Sequence, residues 1–211
     1  DALLAKAYDP GRPSAVLLAA MAERAFNQGR LDEARRLFGL GVAQFPLADR
    51  FWQGFAVASL ALDNTDDAVR ALEELARRDP ENKTLRSQLA RLADERGDAH
   101  DTRRWAREVL FVDLEDVAAH LLLARVAAAG KEWYTAREEF DRALFFDPAS
   151  SEAVCGLARC EHATGERQAA IARLQDHLRR HPDDAIAAPL LDEVTSSSPT
   201  PPSTRPAGGV E

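Results

Sequence analysis

The sequence predicts an all-α fold, a solenoid of five helix-turn-helix repeats closed by a C-terminal capping helix. Three observations carry this. The first is a fixed period: the pairs Phe45-Pro46, Asp79-Pro80, Asp147-Pro148 and His181-Pro182 stand 34, 68 and 34 residues apart. The skipped mark falls on Asp113-Leu114, which keeps the acid and loses the proline. Self-similarity of this length marks stacked supersecondary units, none of which can bury its apolar face alone. The second is apolar spacing at i, i+3 and i+4 within each unit, the pattern of helices with one buried stripe. The third is a polar joint inside every unit: Gln28-Gly29-Arg30, Asp63-Asn64-Thr65, Arg96-Gly97-Asp98, Gly130-Lys131-Glu132 and Gly165-Glu166-Arg167. Glycine and asparagine end the first helix because they take up left-handed backbone cheaply, and acidic residues then favour the N-terminus of the second. Proline closes the second helix because it cannot continue one.

In chain order the repeats are 15–48, 49–82, 83–116, 117–150 and 151–184. Near the start of the first helix stands a large residue, Leu18, Trp52 or Val154. A large–small pair follows: Met21-Ala22, Phe55-Ala56, Leu89-Ala90, Leu123-Ala124 and Leu157-Ala158. Where the two helices touch, the second carries Ala34, Ala68, Ala136 or Ala170, and one turn later Phe38, Leu72, Phe140 or Leu174. Small residues let the backbones approach and large ones fill the space beside them. The third repeat departs most, with Arg86, Thr102 and Ala106 at these positions. Because a solenoid is stabilised mainly by nearest neighbours, local opening is expected to begin there. A partial helix at 185–194 is expected to cap the last repeat. Residues 1–14 read as the end of a preceding second helix, seen in Asp1 to Asp9, or as an N-terminal extension. The Ser/Thr/Pro-rich stretch 195–211 reads as a disordered tail, and its Pro199-Thr200-Pro201-Pro202 as a linker rather than a proline-rich ligand.

These residues at these spacings resemble the tetratricopeptide repeat family over about residues 15–184. The resemblance implies a right-handed α-α superhelix whose first helices face a concave groove that holds an extended or helical peptide. In register, the groove positions are Val16, Ala19, Glu23, Phe26 and Asn27 in the first repeat. The second supplies Arg50, Gln53, Val57, Leu60 and Ala61. From the third repeat on, Arg91, Arg125 and Arg159 occupy one position, each 34 residues from the last. Such a column would clamp carboxylates or carbonyls of a peptide through planar, bidentate contacts. The alternative is that Asp94, Glu95 and Glu152 already neutralise it. The expected partner is a protein or peptide segment, apolar at one end and acidic at the other. Family members that bind chaperone C-termini carry a Lys/Asn/Asn/Lys/Arg clamp; here its positions hold Ala19, Glu23, Gly54, Thr84 and Gln88, so that role is not expected. The run Ala25-Phe26-Asn27-Gln28, residues 30–38 and Arg50-Phe51-Trp52-Gln53-Gly54 resemble type III secretion class II chaperones, which hold a hydrophobic translocator segment.

Composition narrows the function further. The 211 residues carry 27 basic and 35 acidic side chains, a net charge of −8, the wrong sign for neutralising phosphates, so no nucleic-acid partner is expected. No apolar run is long enough to span a membrane. Cys155 and Cys160 lie five apart on one helix, roughly 7.5 Å along its axis, too far for an unstrained disulfide, which fits a reducing, cytoplasmic setting. His177 and His181 have a spacing that can share a metal, and Cys155, Cys160 and His162 lie close in sequence, but the packing positions of these residues favour burial over ligation. No nucleotide loop, nucleophile elbow or zinc-protease motif occurs. No metal, cofactor or catalytic residue is therefore expected. The function read from the sequence is a non-catalytic interaction scaffold, an adaptor or an assembly or secretion chaperone, with a docking module of a larger protein as the alternative. The oligomeric state is left open, with Phe51 and Trp133 as candidate dimer contacts if exposed.

Overall fold

The structure, a computed structural model, describes residues 14–196; the expectations for 1–13 and for Pro199–Pro202 lie outside the described residues. These form eleven helices and no strand. The first helices of the pairs are α1 (Ala15–Asn27), α3 (Asp49–Leu60), α5 (Lys83–Glu95), α7 (Val117–Ala129) and α9 (Ser151–Ala163). The second are α2 (Leu31–Gln44), α4 (Thr65–Arg78), α6 (Ala99–Val112), α8 (Trp133–Phe146) and α10 (Arg167–Arg180), with α11 (Ala187–Ser196) last. Within each set of five, every helix starts 34 residues after the one before.

Local chemistry explains the starts and stops. The side chains of Ser14, Asn64, Asp98, Asp116 and Ser150 accept from a backbone N–H in the first turn of the helix that follows, satisfying donors the helix itself leaves open. At every joint one residue takes left-handed backbone, at residues 29, 63, 97, 131 and 165. Glycine fills three of these positions, but Asp63 (φ 55°) and Lys131 (φ 58°) fill the others although Asn64 and Gly130 stand beside them. The repeat geometry thus fixes which residue must turn, over local residue preference.

The chain divides after Leu92, inside α5, into two compact units. The first is built on Leu18, Ala22, Ala25, Ala34, Leu37, Phe38, Phe51 and Ala58. Two glycines admit its rings. A Cβ on Gly54 would lie 2.2 Å from the Phe38 ring, and one on Gly41 would lie 2.0 Å from Phe51. Phe51 is therefore buried (1% exposed) and stacked on Phe45 at 5.7 Å, which corrects its reading as a dimer contact. Trp52, expected in the core, is only half-buried: its Nε1 donates to the Pro46 carbonyl at 2.8 Å, and the Arg78 guanidinium lies over its ring. Arg86 is buried and donates to the carbonyls of Asp79, Asn82 and Ala76. It satisfies acceptors left open in the last turn of α4 and just beyond it, so its departure from the repeat pattern has a structural role.

The second unit repeats the motif. Phe140 is buried against Gly156, where a Cβ would lie 2.3 Å from the ring; both residues stand three periods after Phe38 and Gly54. Where Ala106 replaces the large residue, Leu122 stands at the glycine position and both are buried, so bulk has moved from one helix to the next. Thr102 is buried with its hydroxyl donating to the Asp98 carbonyl at 2.7 Å. Trp133, the other suggested dimer contact, is half-buried and packs on the core around Phe140. Cys155 and Cys160 are buried free thiols, and burial pushes the Cys160 thiol up to about 11, which suits packing rather than reactivity.

The cap differs from expectation at both ends. It starts at Ala187, after a turn, because Asp184 Oδ1 accepts from the N–H groups of Ile186 and Ala187 at 2.8 and 2.9 Å. It runs on through Thr195 and Ser196, assigned by sequence to the tail, because Arg167 donates to the carbonyls of Val194 and Thr195. Asp184 also meets His177 Nε2 at 2.8 Å. The Ser151 hydroxyl, the Ala187 N–H, His177 and the Ile186 N–H hold its carboxyl well below the usual carboxylate range, against the opposing effect of burial. A depressed carboxylate stabilises the fold above its unfolded pKa, about 4, and that contribution is lost as pH falls towards the folded value. Asp184→Asn is therefore expected to flatten the decline of the urea midpoint below about pH 4; an acid limb as steep as the wild type's would show that another carboxylate governs it.

Candidate partner-binding faces

On each first helix, one stripe packs into the core and the opposite stripe stays open. In the first unit Leu18, Ala22 and Ala25 are buried, whereas Val16 and Val57 are 74% and 50% exposed. Asn27, Gln53 and Ala61 are also exposed. Phe26 and Leu60 are half-buried, with Phe26 packed on the core beneath. Ala19, expected on the groove, is 1% exposed and belongs to that core. Arg50 lies against Glu23, Nε to Oε1 at 2.7 Å. This face is an apolar strip with one ion pair and two amide side chains, suited to an apolar segment whose backbone needs hydrogen-bond partners.

The second unit presents charge instead. Arg125 donates to Glu152 Oε1 at 2.7 Å and to Asp94 Oδ2 at 2.5 Å. Neutralisation by Asp94 and Glu152 therefore holds for this member of the Arg series. Arg159, at the same repeat position, is exposed and forms no salt bridge among the described residues. Arg91, also exposed at that position, belongs to the first unit. Glu23–Arg50 and Arg125–Glu152 span equivalent positions three repeats apart with their signs reversed. Exposed pairs of this kind contribute about 0–1 kcal/mol each, so they set charge pattern more than stability.

The sequence reading missed a buried polar network in the second unit. His120 and Glu139, 4% and 8% exposed, meet at 2.8 Å through Nδ1 and Oε2, and Arg142 donates to the other carboxylate oxygen. A period search looks for residues a fixed distance apart, and a pair 19 residues apart is invisible to it. Ligation finds no support at His177, whose Nε2 is taken by Asp184. Among the described residues, three potential metal-binding groups converge at Asp98, His100 and Asp101. There Asp98 already caps α6 and His100 contacts Asp101, so the cluster is accounted for by helix capping. No helix of the described residues is long and apolar enough to cross a membrane.

Helix pairs of constant length with one open stripe per first helix define a helical-repeat protein of the interaction-scaffold class. The tetratricopeptide repeat family model matches residues 19–83, 54–109 and 87–153, and the chain belongs to that family. Its fold is accordingly the all-α tetratricopeptide solenoid type, which implies protein or peptide partners and is generally non-catalytic. No curated protein sequence matches significantly. Similar solved structures include a tetratricopeptide repeat protein from Parabacteroides merdae ATCC 43184, 15% identical with a TM-score of 0.69, covering 85% of this chain and 72% of that one. MamA from Desulfovibrio magneticus RS-1 is 14% identical with a TM-score of 0.64, over 81% of this chain and 97% of that one. YrrB, described as a tetratricopeptide repeat protein with an unusual peptide-binding site, is 15% identical with a TM-score of 0.67, over 83% and 90%. At these identities the likeness is one of fold.

Proposed function

We propose that the chain is a non-catalytic adaptor, or an assembly or secretion chaperone, that docks partner segments on its first-helix faces. The observation that carries this is the open stripe of each unit: Val16 and Val57 in water on one, and Arg159 exposed with no salt bridge among the described residues on the other. Apolar and guanidinium groups left open at register positions suit a partner with an apolar portion and an acidic portion. The peptide site described for YrrB supports the same reading by analogy of fold. The residues that suggested a translocator chaperone carry less weight, because Phe38, Phe51 and Gly54 serve packing within the first unit. A cytoplasmic setting belongs to the same proposal and is supported by the two free thiols.

Arg159 and Arg125 separate ligand contact from support. With peptides selected from a random library on the wild-type chain, Arg159→Glu is expected to weaken binding of acidic peptides at least about tenfold, or 1.4 kcal/mol. Arg125→Ala should have the smaller effect, since its guanidinium already has two partners. Fluorescence anisotropy measures both, and affinities unchanged within error in both variants would remove the acidic-segment assignment.

A further inference from the structure

We propose that the second unit carries a separate docking site, on its second-helix side, for a short partner segment bearing a large apolar side chain flanked by lysine or arginine. Phe111 on α6 and Phe145 on α8 hold the same repeat position and are 90% and 79% exposed. The other repeats place Ala43, Arg77 and Arg179 there. Leu114 is 73% exposed at the one inter-repeat position that lacks proline. Nothing in the fold requires large apolar groups at these positions, since the other repeats do without them, and grouped exposed apolar side chains mark interaction surfaces.

Beside Leu114 and Phe145 lies a cleft of about 620 Å³, bounded also by Leu110, Asp141, Arg142 and Phe146, with Phe111 outside its lining. Its floor is His120, whose Nδ1 lies 2.8 Å from Glu139 and whose Nε2 lies 3.0 Å from the Leu114 carbonyl. The same ring stacks on Phe146 at 5.9 Å, and Phe145 meets Phe146 edge-on at 5.2 Å. One buried network thus fixes the loop that offers Leu114 and the ring that orders Phe145, and a site held in place beforehand loses less entropy on binding.

Charge and area specify the occupant. At the mouth, Arg142 is neutralised by Glu139, whereas Asp141 is exposed with no salt bridge among the described residues. Glu115, next to Leu114, and Asp147, next to Phe146, are exposed too. With Arg142 set against Glu139 and the Arg173 guanidinium feeling the charge of Asp141, Glu115 and Asp147 still leave this group of side chains net negative, which complements a basic flank. The exposed parts of two phenylalanines and a leucine come to roughly 500 Å². A stable dimer needs about 800 Å² from each partner, so the patch fits a short segment better than a second copy of the chain.

The test uses the full chain and a random-peptide library, counter-selected against the Phe111→Asp/Phe145→Asp variant. Surviving peptides are expected to pair Trp, Phe, Leu or Met with Lys or Arg. Synthetic copies should bind wild type and weaken with salt. They should lose at least about tenfold affinity on Phe145→Asp and on Asp141→Lys, while Arg159→Glu leaves them unchanged. Circular dichroism and urea midpoints like wild type's, expected at such exposed positions, exclude misfolding, and Asp141→Lys alone keeps the test alive if a phenylalanine variant fails it. The proposal is overturned if no peptide survives counter-selection, or if survivors are acidic or indifferent to Asp141→Lys. It is also overturned if wild type sediments as a dimer that Phe145→Asp dissociates, or if peptides bind only after removal of residues 197–211.

Discussion

Arg173→Ala is expected to lower the unfolding free energy by about 3 kcal/mol, the range for stripping the partner from a buried charge. Glu161 on α9 is 1% exposed. From α10, Arg173 reaches it with Nε at 3.1 and 3.2 Å from the two carboxylate oxygens and Nη2 at 2.6 Å from the first. This hydrogen bonding raises the affinity of the guanidinium for its proton. Alanine would leave a carboxylate among packed helices with neither counterion nor donors. Adding Glu161→Gln should recover a large part of the loss, because the remaining group is then neutral. Urea denaturation of the two single variants and the double gives the coupling. A loss under about 1 kcal/mol for Arg173→Ala, the range of a surface pair, would mean that water reaches Glu161.

Gly156→Ala should destabilise the second unit by about 1–3 kcal/mol, the usual penalty for overpacking. Two effects compete. Alanine is favoured over glycine inside a helix by about 1 kcal/mol. Against this, the new methyl would meet Phe140 at 2.3 Å, and that ring is 4% exposed with no free direction to move. Steric overlap of that depth outweighs propensity. Gly54→Ala is expected to behave alike in the first unit, where Phe38 closes to 2.2 Å. Combining Phe140→Leu with Gly156→Ala should cost less than the two separate losses added, since a smaller side chain makes room for the methyl. A thermal midpoint that rises in Gly156→Ala would show the ring to be mobile and the packing argument wrong.

The period and joints made the fold class legible, because a proline or an acid every 34 residues survives changes elsewhere in the repeat. Packing partners were less so. Gly54 and Gly156 read as weak helix residues until the rings of Phe38 and Phe140 are seen against them. Phe51 and Trp52 are adjacent, and sequence alone chose the wrong one for the core; the vacancy at Gly41 decides it, from the helix before. On the candidate faces, the register placed Val57 and Arg159 in the open, but it could not tell Arg159 from Arg125. That difference depends on the length and direction of the Asp94 and Glu152 side chains. Phe111 and Phe145 are not legible in the sequence, because an apolar residue in an amphipathic helix ordinarily faces the core, and only the structure shows these two in water.

Cross-linking tests most directly whether partner segments dock on the first-helix faces. Peptides selected on the wild-type chain would carry a photoreactive residue, and the attachment sites would be read by mass spectrometry. The expected result is a population attached to α1 and α3 near Val16, Gln53 and Val57, or to α9 near Arg159, and lost from Val57→Asp and Arg159→Glu variants that remain folded. Attachment confined to the second helices and inter-repeat loops, with binding untouched by either variant, would contradict it.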